Sequence, residues 1–345
     1  MKIRLLLLAL VLGLVPAVVR ADDPKPDEPG PWKFGQTLGL NLAQSAFSSN
    51  WSGGDQGSFN WVLTSQSSAR RQFSDKFNWA NQLKLAYGQT SKQDHTTTGE
   101  LVWDSPDKTT DQLYLESLAR WTTGGAVDPY AALTGESQFW DESDPRGKLN
   151  FNPVKVKESA GISRVLYKTE DAGALTRVGA AYRQIYARAF TDPAGQDIRS
   201  FTNNDGGIEW QTDIKQPMLD KKVLYKGTLL VYETLTYSEA DNLKNVDAIL
   251  IAAYPGRTSV QDYWKAPDVN FQNTFTAEIT KSLNVNLDVQ WVYDKYDVAA
   301  LVDPELASSP DPAVQNAYVL QLDKNVRKAG QFREVLAIGL TYRMF

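Results

Sequence analysis

Leu283-Asn-Val-Asn-Leu-Asp-Val-Gln-Trp-Val-Tyr293 is the stretch from which the rest of the chain can be read. Leu283, Val285, Leu287, Val289, Trp291 and Tyr293 take every second position, and Asn284, Asn286, Asp288 and Gln290 fill the gaps. A strand turns successive side chains to opposite faces, so this segment has one apolar and one polar face. The same period of two recurs upstream. Val269, Phe271, Phe275, Ala277 and Ile279 oppose Asp268, Asn270, Gln272, Thr274 and Glu278. Phe77, Trp79, Leu83, Leu85 and Tyr87 oppose Asn78, Gln82 and Lys84, and Trp32, Phe34, Leu38, Leu40 and Leu42 oppose Lys33, Gly35, Thr37, Gly39, Asn41 and Ala43.

Further strands are expected at 58–69, 110–121, 129–140, 159–168, 174–186, 206–214, 222–236 and 332–344, which brings the total to about twelve. Residues 246–254 read either as an extra strand or as loop. Short connections fall at 71–75, 122–126, 169–172, 215–221 and 280–282. Long ones fall between them, at 44–57, 90–109, 141–158, 187–205, 237–267 and 294–331. Strict alternation of short and long is what an outer-membrane barrel produces, with tight periplasmic turns and extended outer loops. The expected fold is therefore all-β: an antiparallel up-and-down transmembrane barrel. A soluble exported β-protein is the rival reading.

The termini agree with export. Lys2 and Arg4 precede the apolar run Leu5 to Leu14 and the small-residue site Val19-Arg20-Ala21, the pattern of a signal peptide over residues 1–21. Residues 22–31 form an acidic, Pro-rich leader, and 32–345 form the barrel domain. With 10 Trp, 15 Tyr and 13 Phe, the chain can build interfacial girdles, for which Trp32, Trp79, Trp121, Trp140, Trp210, Trp291 and Tyr342 are the candidates. Tyr342 and the terminal Phe345 look like a barrel-insertion signal, although the usual phase sets the aromatic two residues, not three, after the Tyr.

Several pieces resemble the outer-membrane proteins grouped as domain of unknown function 3078. They are Trp32-Lys-Phe-Gly35, Leu40-Asn-Leu-Ala-Gln44, Asn50-Trp-Ser-Gly-Gly54 with Ser58, Asp268-Val-Asn-Phe271, Leu283-Asn-Val-Asn-Leu287 and Gln331-Phe-Arg-Glu-Val-Leu336 running into Gly339-Leu-Thr-Tyr342. The resemblance implies a barrel in the outer membrane and brings no agreed activity.

Composition and motifs narrow the chemistry. No cysteine means no disulfide framework, lipobox, thiolate metal site or Cys nucleophile. A net charge of −5 argues against a nucleic-acid partner. The single histidine, His95, lies among hydroxyls and Asp94 in 91–98, which is the raw material of a triad; a solvated loop histidine is the plainer reading. Asp141–Asp144 and 303–311 lack calcium-loop spacing, and no phosphate-binding Gly-rich loop follows any strand, so no cofactor or metal is expected.

The polar phase is richer. Glu116, Arg120, Arg164, Arg177, Arg183, Glu209, Asp213, Asp268, Glu278 and Asp288 fall in it. On a lipid face each charge would cost roughly 2–4 kcal/mol at the midplane, so these are expected to point into the lumen. There they would either pair and close it, Asp288 with a facing Arg for example, or line a narrow solute path. In the last long loop, Asp311-Pro312, the spacing of Val314, Tyr318, Leu322 and Val326, and Gly330 suggest a short helix, with strand extension as the rival. The expected role is passive: a barrel that passes small solutes or serves the envelope as a structural or binding component. A barrel enzyme acting on lipid or envelope polymers is the alternative. Expected partners are outer-membrane lipid, the barrel-assembly machinery during biogenesis and a small-molecule solute.

Overall fold

The computed structural model describes residues 28–46, 48, 57–98, 100–144, 146–190, 195–295, 312–325 and 330–344. The proposed signal peptide, most of the leader, Asn50–Gly54, residues 303–311 and Phe345 lie outside them. Twelve strands make the barrel: β1 (Lys33–Ser45), β2 (Ser58–Ser74), β3 (Phe77–His95), β4 (Asp107–Trp121), β5 (Asp128–Ser137), β6 (Val154–Lys168), β7 (Gly173–Phe190), β8 (Ile198–Met218), β9 (Val223–Tyr237), β10 (Asp268–Glu278), β11 (Leu283–Tyr293) and β12 (Gln331–Arg343). Each pairs antiparallel with its neighbours in sequence. The ring closes where β12 meets β1, from Thr37 opposite Arg343 to Leu42 opposite Ile338. Closure gives each of the twelve barrel strands a partner on both sides, the condition for placing a sheet in a medium that cannot hydrogen-bond it.

Which phase faces inwards is decided by contacts between strands that are not neighbours. Asn286 of β11 donates to Asn41 of β1 across β12, and Arg183 of β7 reaches Asp268 of β10 across two strands. Such reach exists only on the concave side. The opposite phase is apolar and exposed: Phe34, Leu38 and Leu42 on β1, Leu63 on β2, Leu115 on β4, Leu133 on β5, Phe271 on β10 and Leu336, Ile338, Leu340 and Tyr342 on β12. Trp32, Phe34, Phe73, Phe77, Trp79 and Trp121 form a continuous aromatic cluster at the short-turn end. Trp210 lies on the outer face of β8 and donates to Thr176 Oγ1 at 3.0 Å, and Trp140 belongs to a small loop hairpin outside the barrel strands.

A polar side chain in the apolar phase can be satisfied locally, and Asn273 shows how. Asn273, half-way along β10, shares its face with Phe271 and Phe275 and is satisfied by the Tyr225 hydroxyl, which donates to Oδ1 at 2.8 Å. That bond needs Gly227, because any Cβ there would collide with the Tyr225 ring folded over it.

The strands differ from expectation mainly in length. β3, β7 and β8 span 19, 18 and 21 residues, well beyond the roughly 9–11 that cross a bilayer. Their outer ends carry polar residues on both faces, such as Thr202, Asn203 and Asn204, so no alternation marks them in sequence. The connection read as long at 187–205 therefore shrinks to 191–197, and the alternation of loop lengths is looser than expected. Residues 246–254 fall not in a strand but in helix α1 (Ala240–Ala253) and the residue after it. Leu243, Val246 and Leu250 recur there at helical spacing and are fully buried. Helix α2 (Pro312–Asn325) occupies the last long loop, as one of the two expectations had it. Tyr318 and Val319 of α2 join Leu243, Val246, Leu250 and Val260 in a loop core, linked to the barrel by Tyr237 and Trp264 with rings 6.1 Å apart.

Candidate functional site in the barrel lumen

The inner wall divides into two chemically distinct halves. From β4 to β10 it is ionic. Arg177 of β7 is 2% exposed; its Nη2 donates to Glu116 Oε1 of β4 at 2.7 Å and stands 3.5 Å from Asp213 Oδ2 of β8. Asp213 also accepts from Thr228 Oγ1 and Gln211 Nε2, both at 2.9 Å. The guanidinium lies 5.7 Å from the centre of the Tyr130 ring. Nearby, Lys157 of β6 pairs with the buried Glu209 of β8.

A second network uses Arg183 of β7. Its Nε donates to Asp205 Oδ1 and its Nη1 to Asp268 Oδ2, each at 2.8 Å. The guanidinium sits 3.8 Å from the Tyr232 ring centre, and the Tyr232 hydroxyl donates to Asp205 Oδ1 at 2.5 Å. Arginine suits both centres, since its planar fork can serve two carboxylates while an aromatic face covers it.

From β10 through β12 to β1 the wall is a ladder of amides and hydroxyls. Asn284 Nδ2 donates to Thr341 Oγ1 at 2.6 Å, and Asn286 Nδ2 to Asn41 Oδ1 at 3.0 Å and Asn284 Oδ1 at 2.6 Å. Thr276 Oγ1 bonds Asn286 Oδ1 at 2.9 Å, and Gln290 Nε2 donates to Asn270 Oδ1 at 3.0 Å. Gly339 is the floor of this ladder: a Cβ there would overlap the side chains of Asn284, Asn286 and Asn41. Asp288 belongs to this half. It accepts from Thr274 Oγ1 at 2.6 Å and stands opposite Val335, so the arginine partner expected for it is not what holds it.

The structure thus places Glu116, Arg120, Arg177, Arg183, Glu209, Asp213, Asp268, Glu278 and Asp288 in the inward phase. It brings Glu116, Arg177 and Asp213 into one cluster, and Arg183 and Asp268 into another. Glu278 lies apart at the short-turn end, paired with Arg343.

Arg164 is a correction. It stands opposite Thr176, in the phase of Ile162 and Trp210, and is exposed on the outer wall. β6 begins at Val154 rather than Ser159, and its inward residues are Lys155, Lys157, Ser159, Gly161 and Ser163. Arg164 lies four residues from the strand's short-turn end, where a long side chain can carry its charge out of an apolar belt. Lys157, Asp205, Tyr130 and Tyr232 are the partners that the sequence did not disclose.

His95 ends β3 opposite Leu101 and is exposed; among the described residues its imidazole has no hydrogen-bond partner. The hydroxyls of Thr96 and Thr98 bond each other at 2.8 Å. In the other acidic loop, Asp144 is committed to Arg146, whose Nη2 lies 2.6 Å from Oδ2.

Residues 42–142 match a family described as protein of unknown function, DUF3078. The matched stretch runs from the end of β1 to the loop beyond β5, so the resembling pieces at 268–271, 283–287 and 331–342 lie outside it. No curated protein matches the sequence. Among solved structures, the translocator domain of the autotransporter NalP from Neisseria meningitidis is similar at 11% identity and a TM-score of 0.37, over 92% of this chain and 90% of that one. An outer-membrane channel from Pseudomonas putida F1 is similar at 12% identity and a TM-score of 0.36, over 94% and 99%. At such scores it is the strand register, not the likeness, that establishes the barrel.

Proposed function

We propose that this chain is a passive outer-membrane barrel whose lumen admits small polar solutes. One observation carries the reading: residues that point inwards are nonetheless exposed. Gln66, Ser68 and Arg70 on β2 and Lys226 on β9 all occupy the inward phase of a closed barrel, and all are open to solvent-sized space. In the ionic half, by contrast, Arg177, Glu209 and Asp205 are buried among their own partners. Solute would therefore pass along the β1–β3 side, beside the amide ladder, while the Arg177 and Arg183 networks brace the opposite wall.

The apolar, aromatic-edged exterior supports insertion in a bilayer, and the polar interior supports a wet path through it. Catalysis finds no support in the unpartnered His95. The test is reconstitution in planar bilayers. Stepwise ionic conductance is the expected outcome, together with recovery of the protein in the outer-membrane fraction. Protein that inserts but carries no current would overturn the channel in favour of a closed structural barrel. Recovery in the soluble fraction without detergent would overturn both.

A further inference from the structure

The inward charges are unevenly distributed along the barrel axis. Deep in the ionic half Lys157, Arg177 and Arg183 each hold a carboxylate. At the short-turn end, two like-charged pairs face each other instead. Lys215 on β8 stands directly opposite Lys226 on β9, and Lys33 on β1 directly opposite Arg70 on β2. Lys215 is in phase with Glu209 and Asp213, Lys226 with Tyr232, Lys33 with Asn41, and Arg70 with Gln66 and Ser68, so all four enter the lumen.

Like charges directly opposite on neighbouring strands destabilise a sheet. Of the nearby carboxylates, Asp288 stands level with Lys226, two strands away beyond Thr274, and takes its hydrogen bond from Thr274 and not from the ammonium; others are held elsewhere. Glu278 is held by Arg343, Asp171 by Lys221 in a turn, and Asp128 accepts the Thr123 amide at 2.9 Å. Glu28 lies beside Lys33 and Arg70 without an ion pair to either. Among the described residues, no carboxylate is within ion-pair distance of Lys33, Arg70, Lys215 or Lys226. Lys84 and Arg343 add to the positive field at Lys226. Lys84 comes from β3, six strands round the ring from β9, and its ammonium rests 4.9 Å above the Tyr114 ring rather than on an acid.

We propose that the short-turn half of the lumen is an anion site, which draws small carboxylate- or phosphate-bearing solutes into the barrel and disfavours cations. A cleft of one sign between low-dielectric walls concentrates counter-ions by about 10- to 1000-fold. The uncompensated cations, costly to the sheet on their own, are then satisfied by the solute. This rests on the wet-lumen reading above and deepens it.

The experiment is the reversal potential of the full-length protein in planar bilayers under a potassium chloride gradient. The parent should prefer chloride by about tenfold, the lower end of that range. Arg70→Glu combined with Lys226→Glu turns each like-charged pair into an ion pair, so the variant should fold at least as well as the parent. Its preference should fall to near unity or reverse. Parent channels that prefer potassium, or a double variant with unchanged selectivity, would overturn the anion site while leaving the channel intact. If the barrel inserts without current, titration of the detergent-solubilised protein with inorganic phosphate decides instead. Saturable binding that the double variant loses would support the site, and no binding would overturn it.

Discussion

The two halves of the lumen solve one problem in different ways. Both turn polar side chains into a confined space, where an unsatisfied group costs more than a satisfied one returns. The β4–β10 wall uses full charges, some reaching over intervening strands, as in Glu116 with Arg177, Lys157 with Glu209 and Arg183 with Asp268, while Asp205 holds Arg183 from the neighbouring strand. The β10–β1 wall uses neutral amides and hydroxyls that bond near neighbours, as in Asn284 with Thr341 and Thr276 with Asn286. Charged partners leave an uncompensated ion when one is lost. Amide partners, even Asn286 with Asn41 across β12, leave only a dipole when one is lost. The ionic wall should therefore be brittle and the amide wall forgiving.

Arg177→Ala probes the brittle side hardest, because it strands Glu116 and Asp213 together in the lumen. Removing one partner of a buried pair costs about 3–5 kcal/mol, which guanidinium unfolding of the vesicle-inserted protein would register. A loss under about 1 kcal/mol would mean that water already screens this wall, and the division between the halves would fail.

Arg183→Lys keeps the charge but loses the fork that serves Asp205 and Asp268 and the stacking on Tyr232. The expected cost is intermediate, about 1.5–3 kcal/mol for lost hydrogen bonds to charged groups. On the forgiving side, Asn286→Ala removes the amide that joins Asn284, Asn41 and Thr276 and should cost about 1 kcal/mol in the same assay. Equal effects at Asn286 and Arg177 would erase the comparison.

The smallest effect lies outside the barrel. Hydrogen bonds from Arg146 hold the Asp144 carboxyl below its ordinary range, so their contribution is present above the unfolded value, near about 3.9, and is lost as pH falls through the folded one. Parent and Asp144→Asn should thus differ slightly in loop protection at neutral pH and converge in acid. A difference that persists in strong acid would rule out the ion pair as its cause.

Much of the barrel was legible because a closed barrel with an apolar exterior and a polar lumen imposes period two on its strands. Each of the twelve observed strands overlaps an expected one, and the phase of Leu283–Tyr293 is as read from sequence. Legibility ends where that constraint ends. The outer ends of β7 and β8 have no apolar face to keep, so they read as loop although they are strand. Charge alone puts Arg164 inwards, but a position close to a strand's end escapes the penalty that justifies that reading. The partners inside could not be paired from sequence at all, because Arg183 and Asp268 lie 85 residues apart and meet only across the concave face of the curved sheet. Asp205 escapes for a smaller reason: it sits just before residue 206, where the alternation that marks β8 begins.

Single-cysteine scanning of β11 tests the central claim most directly, in a chain whose natural sequence contains no cysteine. With the protein in lipid vesicles, cysteines at 285, 287 and 289 face the apolar exterior and should resist a water-soluble thiol reagent. Cysteines at 286, 288 and 290 face the lumen and should react. Alternating reactivity is the predicted result; uniform reactivity along the strand would contradict a bilayer-spanning barrel, and protection at all six positions would contradict a water-filled lumen.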